Sequence, residues 1–204
     1  MEQTLKRLAT MQRLQVAGLE LFYQNGYHNT SVDDILKKLD LSKGAFYYHF
    51  KSKEEFFISI IQNLIVQRVY SALVQPIEGK EDPFTIIEES LDASLETAEH
   101  NFFDNGFVLS NFLSETQGKD PEINTYLNDI LKIWEVALIT SLQKGKSDGY
   151  VARHVDSDGV AAYIISAYMG IRLQMACGNA KNLRYKFIQQ LRIYFRSLAP
   201  QPIH

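Results

Sequence analysis

The sequence predicts an all-α protein of about nine helices. Three observations carry this. Apolar residues recur at intervals of three and four along most of the 204 residues, the signature of helices with one buried face. Strand signals are almost absent: Asn25-Gly26 and Asn105-Gly106 both adjoin helical patterns rather than alternating runs. Capping residues stand where helices should begin.

The elements follow in order. Leu5, Leu8, Met11, Leu14, Ala17, Leu21 and Phe22 step by three and four, and Gly26 follows as a left-handed stop. Thr30 and Ser31 precede a second helix over 32–39, whose first turn holds Asp33 and Asp34, where carboxylates favour the helix dipole. Asp40 ends it. Ser42 caps a third, very short helix. Ser52 and Glu55 read as a capping box for a fourth that runs through Val74. Asp82-Pro83 and Asp120-Pro121 each set a capping residue before a proline. They open helices over 83–100 and 121–147, with a shorter one over 105–116 between them. Asp156 opens an almost wholly apolar helix to 177. Asn179 opens the last, 181–198, with a stripe of Leu183, Phe187, Leu191, Tyr194 and Leu198. No repeat occurs at a solenoid period.

Composition narrows the class. Apolar residues make up 46% and charged residues 22% of the chain, which is ordinary for a folded soluble protein and argues against disorder. The single cysteine, Cys177, excludes an internal disulfide and fits a reducing cytoplasm. With no basic neighbour in sequence, it is expected to be buried and inert. The N-terminus lacks the apolar run of a signal peptide. Residues 159–178 are nearly all apolar, but the uncharged run stops at Arg172, short of the about 20 residues a membrane span needs. No membrane role is expected. Residues 1–53 hold eight Lys/Arg against five Asp/Glu, and 54–204 hold thirteen against nineteen. A basic end on an acidic body suggests a polyanion partner for that end.

The strongest local signal is Asp-Leu-Ser-Lys-Gly-Ala-Phe-Tyr-Tyr-His-Phe-Lys-Ser-Lys, residues 40–53. The turn before it has the length used in a helix-turn-helix, whose second helix enters the major groove. That helix is too short to stand alone and must be held by packing. Phe46 and Phe50, four apart, share the face that packs. Tyr47, Tyr48 and His49 are left exposed, each with a polar tip that can donate to a phosphate. Gly44 permits close backbone approach, and Ala45 is small enough to lie against a base edge.

Residues 13–57 resemble the N-terminal domain of the TetR family of transcriptional regulators. The likeness rests on Gly26-Tyr27, Thr30-Ser31-Val32, and the run Ser42-Lys43-Gly44-Ala45-Phe46-Tyr47-Tyr48-His49-Phe50 followed by Lys53. It implies a DNA-binding domain over 1–52 and a ligand-binding and dimerisation domain over 53–204. It implies roles by position: Thr30 and Ser31 at backbone phosphate; Lys43, Gly44 and Ala45 nearest the bases; Tyr47, His49 and Lys53 on phosphates; Tyr48 on backbone or a base; Ser42 also belongs to the expected DNA-binding set. Two positions depart from the family pattern. Ala45 stands where threonine is common. Gln15 stands where an apolar core residue is common, so a shifted or looser first helix is expected. Residues 105–116 resemble a subgroup that often carries Gly-Cys where this chain has Gly106-Phe107, so no redox-sensing cysteine is expected there.

One short recognition helix makes few contacts, so a homodimer reading a palindromic operator is expected. Ala167 and Gly170 would allow close helix approach, and Phe187, Leu191 and Tyr194 would complete a four-helix bundle. A surplus of large side chains suggests a site for a small apolar or aromatic inducer: Phe102, Phe103, Phe107, Phe112, Trp134, Leu138, Tyr168, Met169 and Met175. Arg172 and Gln174 would orient an acidic or carbonyl group. No cofactor, metal or catalytic residue is expected. Glu96 and His100 make only two ligands on an open helix, Ser141 to Lys144 is a chance Ser-x-x-Lys, and Gly145-Lys146-Ser147 lacks the preceding glycine of a phosphate loop. The competing classes are an enzyme and a helical adaptor that binds only protein. Neither explains an exposed Tyr-Tyr-His among lysines.

Overall fold

The computed structural model describes residues 2–79, 82–100, 106–178 and 180–201, apart from the side chains of residues 2–4, 99 and 100. Phe102, Phe103, Asn179, His204, the side chain of His100 and the start of the helix expected from 105 lie outside the described residues. Among those described, nine helices and no strand are present. They are α1 (Glu2–Asn25), α2 (Val32–Leu39), α3 (Lys43–Tyr47), α4 (Lys53–Ile77), α5 (Pro83–His100), α6 (Val108–Thr116), α7 (Pro121–Asp148), α8 (Ser157–Ala176) and α9 (Ala180–Leu198).

The chain forms two compact units, residues 1–68 with 108–129, and 69–107 with 130–204. This differs from a single cut after residue 52. The reason is aromatic packing: Phe56 and Phe57 of α4 and Phe112 of α6 share one core with α1. Phe22 meets Tyr27, Phe56 and Phe57 at 5.4, 6.0 and 5.0 Å between ring centroids, and Phe57 meets Phe112 at 4.8 Å. Phe112 therefore packs in the first unit's core, not with the aromatic residues of the second. A Cβ on Gly18 would stand 2.5 Å from the Phe56 ring, so this close helix approach requires glycine. Gln15 is only 2% exposed. Its Nε2 donates to Ser59 Oγ at 3.1 Å, so α1 accommodates the polar residue by pairing it, without shifting outward.

Two caps differ from expectation. Ser52 Oγ accepts from Glu55 N at 3.0 Å, but the Glu55 carboxylate accepts from Lys51 N, one residue before the capping box would place it. Asp82 behaves as expected, accepting from Phe84 N at 3.0 Å. The Asp120 side chain turns away to the His28 ring.

In the second unit the core includes Ile87, Leu91 and Leu95 of α5, Trp134, Leu138 and Leu142 of α7, Ile164 and Tyr168 of α8, and Ile188, Leu191 and Phe195 of α9. Arg184 and Arg192 tie α9 to α5 through Asp92 and Glu88, each at 2.7 Å. Along α4, Ile61, Ile65, Val69, Leu73 and Ile77 are all buried at a spacing of four. That spacing drifts by about 40° per step on a regular α-helix. Wider π-type turns over Ile61–Ile65 and Tyr70–Val74 offset the drift and hold the stripe inward. The same helix is long and apolar enough to cross a membrane by length and composition. The stretch 159–178 is instead interrupted by a buried Arg172.

Candidate nucleic-acid interface and ligand cluster

The helix-turn-helix is built by local chemistry. Ser31 Oγ accepts from Asp34 N at 3.1 Å, while Asp34 Oδ2 accepts from Ser31 N at 2.8 Å and from the Ser31 hydroxyl at 2.6 Å. Those bonds from Ser31 hold the Asp34 carboxyl below its ordinary range. α2 ends at Asp40 in a left-handed conformation, φ 53°, and Leu41 N donates back to Leu36 O at 3.0 Å. Ser42 Oγ then caps α3 by accepting from Ala45 N at 3.3 Å.

Five residues of helix stay folded because Phe46 is an anchor. It is fully buried, with Phe50 and Phe56 at 5.6 and 5.2 Å, and Phe50 meets Phe56 at 4.8 Å. The opposite side carries Tyr47 and Tyr48, 57% and 69% exposed. Burial, and then the charge of Arg7, push the His49 ring below the ordinary histidine value. Lys43 bonds the Asp33 carboxylate at 2.9 Å, which raises its pKa. Gly44 is exposed, and a Cβ there would meet only Ser42 Oγ, at 3.8 Å. Ala45 is half-buried.

Three expected positions already make contacts within the chain. The Thr30 hydroxyl is buried and donates to Gly26 O at 2.8 Å, so it closes the α1–α2 turn and does not face a phosphate. The Ser31 hydroxyl is exposed but occupied by Asp34. Lys53 is half-buried with its ammonium 4.3 Å from the Tyr27 ring centroid, and burial lowers its pKa. Residues that the sequence does not mark complete this region. Glu115 accepts from the amides of Tyr27 and His28 at 2.9 and 2.7 Å, and His28 Nε2 meets Asp120 at 3.0 Å. No sequence pattern marks partners some 87 residues apart. Burial, with Asp120, Glu54 and Glu115 nearby, pushes the Tyr27 phenol up to about 12.

The second unit holds the other expected cluster. Phe107, Trp134 and Tyr168 form a closed triangle of edge-to-face rings at 6.1, 5.2 and 5.4 Å. Tyr168 Oη and Ser94 Oγ are 2.7 Å apart. Arg172, 9% exposed, donates to Tyr168 Oη at 3.1 Å and to Gly106 O at 2.8 Å. Leu138 and Met175 are buried in the same unit, whereas Gln174 is exposed. One groove of about 480 Å³ is lined by Tyr70, Val74, Ile77, Ile133, Val136 and Lys144. Another, of about 450 Å³, is lined in part by Ser94 of this cluster.

On α8 and α9, Ala167, Gly170, Phe187 and Tyr194 are partly exposed. Leu191 is buried in the protomer's own core, because i to i+4 spacing aligns it with Phe195 on the face turned to α5. Cys177 is exposed, not buried, since it caps α8 beyond its last core residue, Met175.

Comparison with known proteins agrees with this geometry. The family model of bacterial regulatory proteins, tetR family, matches residues 15–60, and that of the tetracyclin repressor-like C-terminal domain matches residues 85–190. The transcriptional repressor DhaR of Mycobacterium sp. strain GP1 is 27% identical over 201 residues, covering 95% of this chain and 94% of that protein. A TetR transcriptional regulator of Chloroflexus aurantiacus superposes with a TM-score of 0.84 at 23% identity, over 95% of this chain and 97% of its own. The regulator FadR of Bacillus subtilis, solved with stearoyl-CoA, gives 0.70 at 18% identity, over 95% and 99%. With both parts of the chain matched, over half of it by the C-terminal domain alone, the protein belongs to the TetR family of bacterial regulatory proteins and is a DNA-binding transcriptional regulator.

Proposed function

We propose that the protein is a cytoplasmic repressor that binds a palindromic operator as a homodimer and leaves it when a small molecule binds. It is a regulator and not an enzyme. The observation that supports this best is the split of rings on residues 46–50. Phe46 and Phe50 are spent on the core, and Tyr47 and Tyr48 face outward beside Lys43. A core has no use for them there, whereas a phosphate backbone does. The DNA-facing set is then Ser31, Ser42, Lys43, Gly44, Ala45, Tyr47, Tyr48, His49 and Lys53, within a DNA-binding domain of residues 1–52. Gel shifts against an operator selected from random sequence test it. Lys43→Ala and Tyr47→Phe each cost about 1–3 kcal/mol where they meet a base; unchanged affinity in both refutes the assignment. Binding must also weaken steeply with salt, which an adaptor would not show.

Gly170 supports the dimer. It lies inside α8, yet a Cβ there would meet nothing within 4 Å. Alanine would stabilise the isolated helix by about 1 kcal/mol, so the open face is consistent with a second copy packing closely. Gly170→Arg fits the protomer and should yield monomers in sedimentation. Leu191→Glu instead should unfold the chain.

The inducer reading rests on the Ser94–Tyr168–Arg172 network set among Phe107, Trp134, Leu138 and Met175. A ligand with an apolar or aromatic body and an acidic or carbonyl group matches those surroundings. Acting by population shift, it must favour the released state by its differential affinity for the two states. Trp134 fluorescence reports binding, and operator release at saturation reports the coupling. Binding without release refutes it.

A further inference from the structure

On a helix, residues 7, 11, 14 and 18 fall along one face. In α1 the later part of that face is core: Leu14 is fully buried and Gly18 lies against Phe56. Two turns earlier the core has run out, and the face carries Arg7, exposed. Its guanidinium carbon stands 5.6 Å from the centroid of the Tyr48 ring. Its charge also reaches His49. Tyr48 and His49 both belong to the proposed DNA-facing set, and a role for Arg7 beside them rests on that assignment.

Among the described residues no carboxylate pairs with Arg7. The ring contact leaves the edge of the guanidinium, with its N–H donors, open to solvent.

We propose that Arg7 donates to a DNA backbone phosphate beside those met by α3, with the Tyr48 ring as the platform that holds the guanidinium plane. The interface then extends from residues 31–53 onto the N-terminal turns of α1. A guanidinium suits this because it stacks by its face while donating in a fork from its edge.

The test compares wild type, Arg7→Gln and Arg7→Lys on two duplexes, an operator selected from random sequence and a random-sequence control, over a salt series. In Arg7→Gln the slope of log K against log salt falls by about 1 per protomer, and affinity at low salt drops by a similar factor on both duplexes. The thermal midpoint stays put, since the side chain is exposed. Arg7→Lys restores the slope. An unchanged slope in Arg7→Gln overturns the proposal. So does a loss confined to the operator at unchanged slope, which would make Arg7 a positioning residue for Tyr48. If wild type binds neither duplex at low salt, the DNA-facing reading itself falls; if wild type binds and Arg7→Gln matches it, only the Arg7 contact falls.

Discussion

Tyr48 and Tyr168 are the same side chain put to opposite uses. Tyr48 is 69% exposed, with the Arg7 guanidinium and the His49 ring against it. Tyr168 is fully buried, with its hydroxyl between Ser94 and Arg172 and its ring against Phe107 and Trp134. One belongs to a surface that a few local rules build: a cap at Ser42, a left-handed turn at Asp40, a buried Phe46. The other belongs to a cluster assembled from four separate stretches of chain. The contrast teaches that a ring's role comes from what surrounds it. Local rules predict those surroundings at α3, but not at α8.

The largest effect should come from the anchor beneath the recognition helix. Phe56→Ala removes the ring on which Phe22, Phe46 and Phe50 converge, and should cost about 3–5 kcal/mol in urea unfolding. A cost under about 1 kcal/mol would mean that α3 does not depend on this packing and would break the comparison at its better understood end. Next is Glu115→Ala, which leaves the amides of Tyr27 and His28 without their acceptor. A loss of about 2–3 kcal/mol is expected, with Glu115→Gln recovering part of it. The two tyrosines then separate directly. Tyr168→Phe should cost about 1–2 kcal/mol, because half-buried Ser94 and buried Arg172 each lose a partner. Tyr48→Phe should stay within about 0.5 kcal/mol of wild type in stability. Equal effects would erase the distinction between the two environments.

The smallest effect is a pH dependence. The Tyr27 phenol is raised from 10.0 to about 12 in the fold. Between those values the folded chain keeps a proton that the unfolded chain loses. Its contribution is therefore complete below pH 10 and is lost as pH rises towards 12. Tyr27→Phe should show a shallower fall in melting temperature over that range than wild type does. Parallel curves would mean that the phenol is not held in its neutral form.

Much of the architecture is legible from residues alone, because helix signals are local. Periodic apolar residues, Gly26 after α1, and the caps at Ser31, Ser42, Ser52 and Asp82 act within a turn or two of themselves, so all nine helices can be read, most to within a few residues. The run from Ser42 to Phe50 is legible for the same reason: four-residue spacing puts Phe46 and Phe50 inward and leaves Tyr47 and Tyr48 outward. Tertiary structure decided what depends on distant partners. It turned the Thr30 hydroxyl inward, since Gly26 O lies within reach only once the turn has closed. It placed Phe112 with Phe57 in the first unit, Leu191 inside the protomer and Cys177 outside it. It brought Glu115 to the α1–α2 turn across about 87 residues of chain, and it gave Gln15 the partner, Ser59, that makes a polar residue tolerable in a core. Hydrogen bonds and ring contacts between segments far apart in sequence carry no periodic trace, so only the folded chain shows which side chains meet.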